Sequence, residues 1–205
     1  FAQTSHEQTT PVVRVMSFNI LQGGGDASNV GFYPEDFEPG TRWDQLIRVM
    51  RESNADILCI QEPAAGEWIT NAMGPDWHRY GSIYSRFPLE GLAQENRMSV
   101  ARVMLPDGQT IVVGNDHWWP GAGYGPYVVR DVLKKQGGDI DHATIKEVAL
   151  KIAVPHEYER TLRLLQPYLD AGERVVLAGD FNEPSHLDWT RRYANKGADR
   201  WPDNT

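Results

Sequence analysis

A chain of 205 residues fits one domain with a substantial core, and 40% hydrophobic with 23% charged residues is the balance of a soluble globular protein. The formal net charge of -8 excludes nucleic-acid binding driven by charge alone, which needs a basic face. No stretch reaches the apolar length of a membrane span, and a single cysteine rules out an internal disulfide.

Residues 1–11, "FAQTSHEQTTP", are polar and read as a tail, with the domain expected over residues 12–205. The tail is either a mature start left after signal-peptide removal, which places the protein as secreted or periplasmic, or an arbitrary boundary. "VVRVMSFNI" (12–20) is β-branched and apolar, and predicts a strand buried on both faces or nearly so. After the glycine cluster "QGGGD", the run "TRWDQLIRVMRES" places Trp43, Leu46, Ile47 and Met50 on one helical face, with Thr41 as its cap. "ADILCIQEP" (55–63) predicts a second buried strand, with Cys59 as a structural thiol inside it.

"MSVARVMLPDGQTIVVGNDH" has the form of a hairpin about the turn "PDGQ". Residues 118–142 are rich in Trp, Pro, Gly and Tyr and predict a long surface loop. "EYERTLRLLQPYLDAG" returns to helical spacing through Tyr158, Leu162, Leu165 and Leu169, with Gly172 placed to end it. "RVVLAGDFN" is the last clear strand. Strands linked both by helices and by a hairpin make a mixed α/β fold.

Four of these strands finish in residues able to bind a metal or a phosphate: Asn19, Glu62, His117, and Asp180 with Asn182. Each alone has an ordinary explanation as a turn cap or a solvated strand end. Together they coincide with the place where ligands gather in α/β sheets, the carboxyl ends of strands. Hard oxygen ligands, with no cysteine or closely spaced histidine pair among them, suit Mg2+ or Mn2+ and oppose a structural zinc site. A bound cation would also let an acidic protein hold a phosphate-bearing substrate.

The pieces "MSFNI", "ADILCIQE", "SIYSRFPLE", "GNDH" and "LAGDFNEPS" occur in the order and approximate spacing of the endonuclease/exonuclease/phosphatase superfamily, and the chain resembles that group over about residues 12–190. DNase I, exonuclease III, sphingomyelinases and inositol-polyphosphate phosphatases belong to it. "NILQGGGD", "YGPYVVRD" and "GDFNEPSHLDWT" are more similar to secreted or periplasmic bacterial members than to DNA-repair enzymes. The resemblance implies an α/β, DNase I-like two-sheet sandwich flanked by helices. It also implies Mg2+-assisted hydrolysis of a phosphoester by in-line attack of water, in a phosphodiesterase or nuclease.

Carried onto this chain, the resemblance makes Glu62 the main metal ligand, with Asn19 beside it on the metal or the phosphate. Asp180 deprotonates the attacking water, Asn182 donates to oxygen charge growing in the transition state, and His117 holds a phosphoryl oxygen. Trp118, Trp119, Tyr124 and Tyr127 form either a wall for the leaving group or the loop's own anchors. Arg130 is a phosphate contact or an ordinary surface ion pair. His186 is a secondary candidate, His78, His142 and His156 have no supporting context, and Arg86–Phe87–Pro88 shapes a strand end.

Family members continue beyond "GDFN" through further strands to a closing aspartate–histidine pair. No such pair follows Asn182, and His186 stands before leucine. The resemblance therefore implies a domain lacking its C-terminal portion: a piece of a longer protein, a chain completed by a second chain, or a degenerate form. Two sheets that share a core favour the first two, and this chain alone is expected to be impaired. The rival readings are a phosphomonoesterase acting on a lipid or sugar headgroup, and a non-catalytic binding or assembly module. The acidic balance leans toward small substrates over long nucleic acid.

Overall fold

In a computed structural model of the chain, residues 12–25, 27–119 and 155–182 are described, with Lys135 and Ala143 as isolated positions. Two four-stranded sheets carry the fold, in the orders β1-β2-β4-β3 and β5-β6-β7-β8. The strands are β1 (Val15–Asn19), β2 (Ile57–Gln61), β3 (His78–Tyr80), β4 (Ile83–Ser85), β5 (Leu89–Glu95), β6 (Met98–Met104), β7 (Thr110–His117) and β8 (Val175–Asp180). The helices are α1 (Arg42–Glu52), α2 (Glu67–Met73) and α3 (Pro155–Asp170), with one-turn helices at 22–24, 28–30 and 34–37. This is the α/β two-sheet architecture expected from the sequence. By internal contacts the chain divides into two units, Phe1–Asp116 with Pro167–Gly179, and His117–Gln166 with Asp180–Thr205.

In the first unit, β2 explains why "ILCIQ" carries no polar alternation. Ile57 and Cys59 turn to one face and pack with Ile83, Ala101, Val103, Ile111 and Val113, which fills the space between the two sheets. Leu58 and Ile60 turn to the other face and pack with Met50, Ile69 and Tyr84, under α1 and α2. Both faces of the strand are therefore buried, as a central strand with helices on one side requires. β1 pairs with β2 in parallel, from Val15↔Ile57 to Asn19↔Gln61. Unlike the prediction, β1 is only half-buried. The reason is its place at the edge of the sheet, with one neighbour instead of two.

α1 begins where the sequence placed its cap: Thr41 Oγ1 accepts from Asp44 N (3.2 Å) and Asp44 Oδ2 accepts from Thr41 N (2.7 Å), a reciprocal capping box. Its predicted apolar face is realised by Leu46, Ile47 and Met50. Trp43 departs from it, standing 47% exposed and stacked on Trp68 at 5.2 Å. β6 and β7 form the predicted antiparallel hairpin. β5 went unseen in the sequence because "LEGLAQE" has no clean alternation, and its pairing with β6 shifts register between Gly91 and Ala93.

α3 forms where predicted, but of its predicted face only Leu165 is buried. Arg160, Thr161 and Leu165 are buried, whereas Tyr158, Leu162 and Leu169 stand 54%, 38% and 45% exposed. Gly172 follows the helix with φ 71 and donates its N–H to Leu169 O at 3.0 Å. The segments that would hold Tyr124, Tyr127, Arg130, His142 and His186, and the side chain of His156, lie outside the described residues. Among the described residues no helix is long and apolar enough to cross a membrane.

Candidate active site

Two groups of the expected residues come together, one within each unit. In the first unit, the parallel pairing of β1 and β2 brings Asn19 opposite Gln61, one residue before Glu62. Asn19 Nδ2 donates to Glu62 Oε1 at 3.0 Å, and Asn19 Oδ1 accepts from Leu21 N at 2.8 Å. Gln22 N donates to Glu62 Oε2 at 2.8 Å, and Gly23 N to Glu62 O at 2.8 Å. Both carboxylate oxygens are thus oriented by donors on the loop after β1. A carboxylate oxygen offers two lone-pair sites, so this arrangement aims the group without exhausting its capacity as a ligand.

The backbone here is unusual. Leu21, Gln22, Glu62 and Ala64 all take positive φ, between 48° and 58°. Non-glycine residues in this region cost on the order of 1–3 kcal/mol each and concentrate at functional sites. Glu62 leaves the strand at φ 58 immediately after Gln61, which ends β2 one residue before the carboxylate.

Beneath Glu62 lies a buried polar cluster that sequence reasoning missed. Gln61 Nε2 donates to Asn115 Oδ1 at 2.6 Å, and Asn115 Nδ2 reaches Ile60 O and Ser82 O, both at 3.0 Å. Gln61 and Asn115 are 2% and 1% exposed. The register of β2 with β4 runs to Cys59↔Ile83, and beyond it Ser82 O accepts from Ile60 N at 3.0 Å as well as from Asn115, which comes from the other sheet. The available signal was a Gln and an Asn inside otherwise apolar strand runs, in "LCIQ" and "VVGN".

In the second unit, His117 closes β7 and Asp180 closes β8. His117 Nε2 stands 4.0 Å from Asp180 Oδ2. Trp118 N donates to Asp180 O at 2.9 Å, Asn182 Nδ2 donates to Trp118 O at 2.8 Å, and Asn182 N donates to Asp180 Oδ1 at 3.0 Å. That last bond is an Asx turn, so Asp180 caps the chain locally while facing the histidine. Trp118 has its indole N–H on Thr161 Oγ1 at 3.0 Å, and its ring meets the edges of Tyr158 and Phe181. The structure thus gives Trp118 the part of an anchor. Trp119, beside it, is 56% exposed.

Among the described residues no three His, Cys, Asp or Glu side chains gather into a metal-holding group. Two titratable groups away from the site behave as core: burial pushes the Cys59 thiol up to about 12 and the Tyr84 hydroxyl up to about 12. Arg86 lies 5.6 Å over the ring of Trp77, a packing role at the end of β4, and His78 is exposed at the start of β3.

An uncharacterized protein of Caenorhabditis elegans is 27% identical over 217 aligned residues. The alignment covers 95% of this chain and 62% of that relative, so the chain spans about 62% of the relative's length. Residues 16–205 match the model of the Endonuclease/Exonuclease/phosphatase family. On that match, and with the two four-stranded sheets of the fold, the chain belongs to the endonuclease/exonuclease/phosphatase family.

Proposed function

We propose that the chain carries the catalytic residues of a metal-dependent phosphoester hydrolase, most simply a phosphodiesterase or nuclease, that uses in-line attack of water. The observation that carries this reading is the Glu62 carboxylate, presented just past a strand end in a left-handed backbone and gripped by Asn19 Nδ2 and Gln22 N.

Glu62 is the residue to hold Mg2+ or Mn2+, and Asn19 keeps its carboxylate aimed. When bound, the ion neutralises charge on a phosphoryl oxygen and on the departing alkoxide. Asp180 accepts the proton of the attacking water, with Asn182 N fixing one of its oxygens. Asn182, held by Trp118 O, donates to oxygen charge growing in the transition state, a contribution of about 3 kcal/mol for one preorganised donor. His117, when protonated, holds a phosphoryl oxygen. The net charge of -8 favours small phosphodiesters over long nucleic acid. A secreted or periplasmic location belongs to the same proposal.

The test is hydrolysis of a chromogenic phosphodiester with Mg2+, with Mn2+ and with EDTA, using the full-length parent protein. EDTA abolishes turnover, and Glu62→Ala and Asp180→Ala each lower it by roughly a hundredfold or more. Turnover that ignores EDTA or survives both substitutions overturns the reading. Release of phosphate from monoesters alone would move the assignment to a phosphomonoesterase.

A further inference from the structure

A cavity of about 340 Å3 opens in the first unit, walled by Phe32, Pro34, Phe37, Arg42 and Trp43, with Gly25 on its lining. Its wall and the Glu62 carboxylate hold one loop from two sides. Arg42 donates from Nη1 to Gly25 O at 2.7 Å and from Nη2 to Leu21 O at 3.0 Å and to Ile20 O. Gln22 N and Gly23 N of the same loop donate to Glu62.

The chemistry of the wall selects its occupant. The Arg42 guanidinium, directed to three carbonyls, lies 5.6 Å over the ring of Phe32, so the cavity presents flat surfaces instead of an anion-binding fork. Phe32 and Trp43 remain 46% and 47% exposed although they are large and apolar. Aromatic faces pair best with other rings, offset or edge-on. An apolar cavity of about 150 Å3 already accepts benzene, and pockets for small ligands begin at roughly 300 Å3.

We propose that this cavity binds an uncharged aromatic group of one or two rings. Resting on the hydrolase reading, that group is the alcohol side of the phosphoester whose phosphate lies at Glu62. Shared use of the loop at 20–25 is the reason: a ring seated in the cavity braces the segment that aims the carboxylate.

Saturation-transfer NMR and thermal shift with benzyl alcohol and 2-naphthol, against glycerol, test the cavity without turnover. Gly25→Leu is the filling variant. Gly25 has φ -80, and a Cβ there would meet nothing nearer than Trp43 Nε1 at 3.9 Å, so the side chain enters open space without strain. Wild type and Glu62→Ala bind the aromatic alcohols and not glycerol, while Gly25→Leu and Phe32→Ala weaken binding by about tenfold or more. No binding by wild type, or equal binding by wild type and both cavity variants, overturns the proposal even if EDTA-sensitive hydrolysis is found. Aromatic binding lost in Gly25→Leu, in a protein without metal-dependent turnover, upholds the cavity and overturns the hydrolase reading.

Discussion

Glu62 and Asn19 meet because two strand ends are in register, and their bond separates two kinds of loss. Under the proposed function, Glu62→Ala removes the metal ligand itself. Asn19→Ala leaves the carboxylate in place with Oε1 no longer fixed by the amide. Outer groups of this kind change metal affinity by about 10–100-fold. The expected outcome for Asn19→Ala is a rise of that size in the Mg2+ concentration needed for half-maximal turnover, with a smaller fall at saturating Mg2+, checked by metal titration. Cys59 gives a second prediction. Burial raises its thiol from the ordinary 9.0 to about 12, and Tyr84 from 10.0 to about 12. The folded state therefore holds both protons more tightly than the unfolded one. Their contribution to stability is complete below pH 9 and drains as pH climbs toward 12. Native protein at pH 8 should resist iodoacetamide, and Cys59→Ser should flatten the fall of Tm with pH above 9.

At the scale of elements, the approach of β8 to β7 depends on a missing side chain. A Cβ on Gly179 would lie 2.1 Å from Asp116 O, a backbone atom that cannot swing aside. The glycine of "AGDF" is therefore a packing requirement that brings Asp180 to the end of a strand beside His117. Gly179→Ala should cost about 1–3 kcal/mol, read as a Tm lower by roughly 2–4 °C per kcal/mol for a chain of this size. Ser17 Oγ also donates to Gly179 O, at 3.4 Å. α1 illustrates the opposite case, a local device legible from the chain alone. Thr41→Ala should cost about 1 kcal/mol through loss of its cap, measured by chemical denaturation.

For the first unit as a whole, the polar bridge between the sheets decides more than its size suggests. Asn115→Ala would remove one acceptor from Gln61 Nε2, which keeps Ser17 Oγ and Cys59 O, and one donor each from Ile60 O and from Ser82 O, the latter keeping Ile60 N. Removing buried hydrogen bonds of this kind costs about 1–3 kcal/mol, and a loss of that size is expected in denaturant unfolding. Because Gln61 is bonded directly to Glu62 in the chain, the same variant should need more Mg2+ for half-maximal turnover. A variant with lowered stability and unchanged metal dependence would confine Asn115 to a structural part.

Periodicity and turn chemistry were sufficient for β2, α1, the β6–β7 hairpin, α3 and β8, because local spacing and caps dictate those elements. They were insufficient for β5, whose bulge breaks the alternation, and for the buried face of α3, where Arg160 and Thr161 join Leu165 while Tyr158, Leu162 and Leu169 stand exposed. Of the candidate residues, the strand ends could be read in one dimension, since polar groups closing apolar runs stand out there. The bond of Asn19 to Glu62, the bridge of Gln61 to Asn115, and the anchoring of Trp118 could not. Each joins residues more than forty positions apart, and a sequence holds no distance between such positions. The chain by itself determined which groups were available and at which strand ends. Only the tertiary structure decided which of them touch, because strand register and the close pass at Gly179 set those distances.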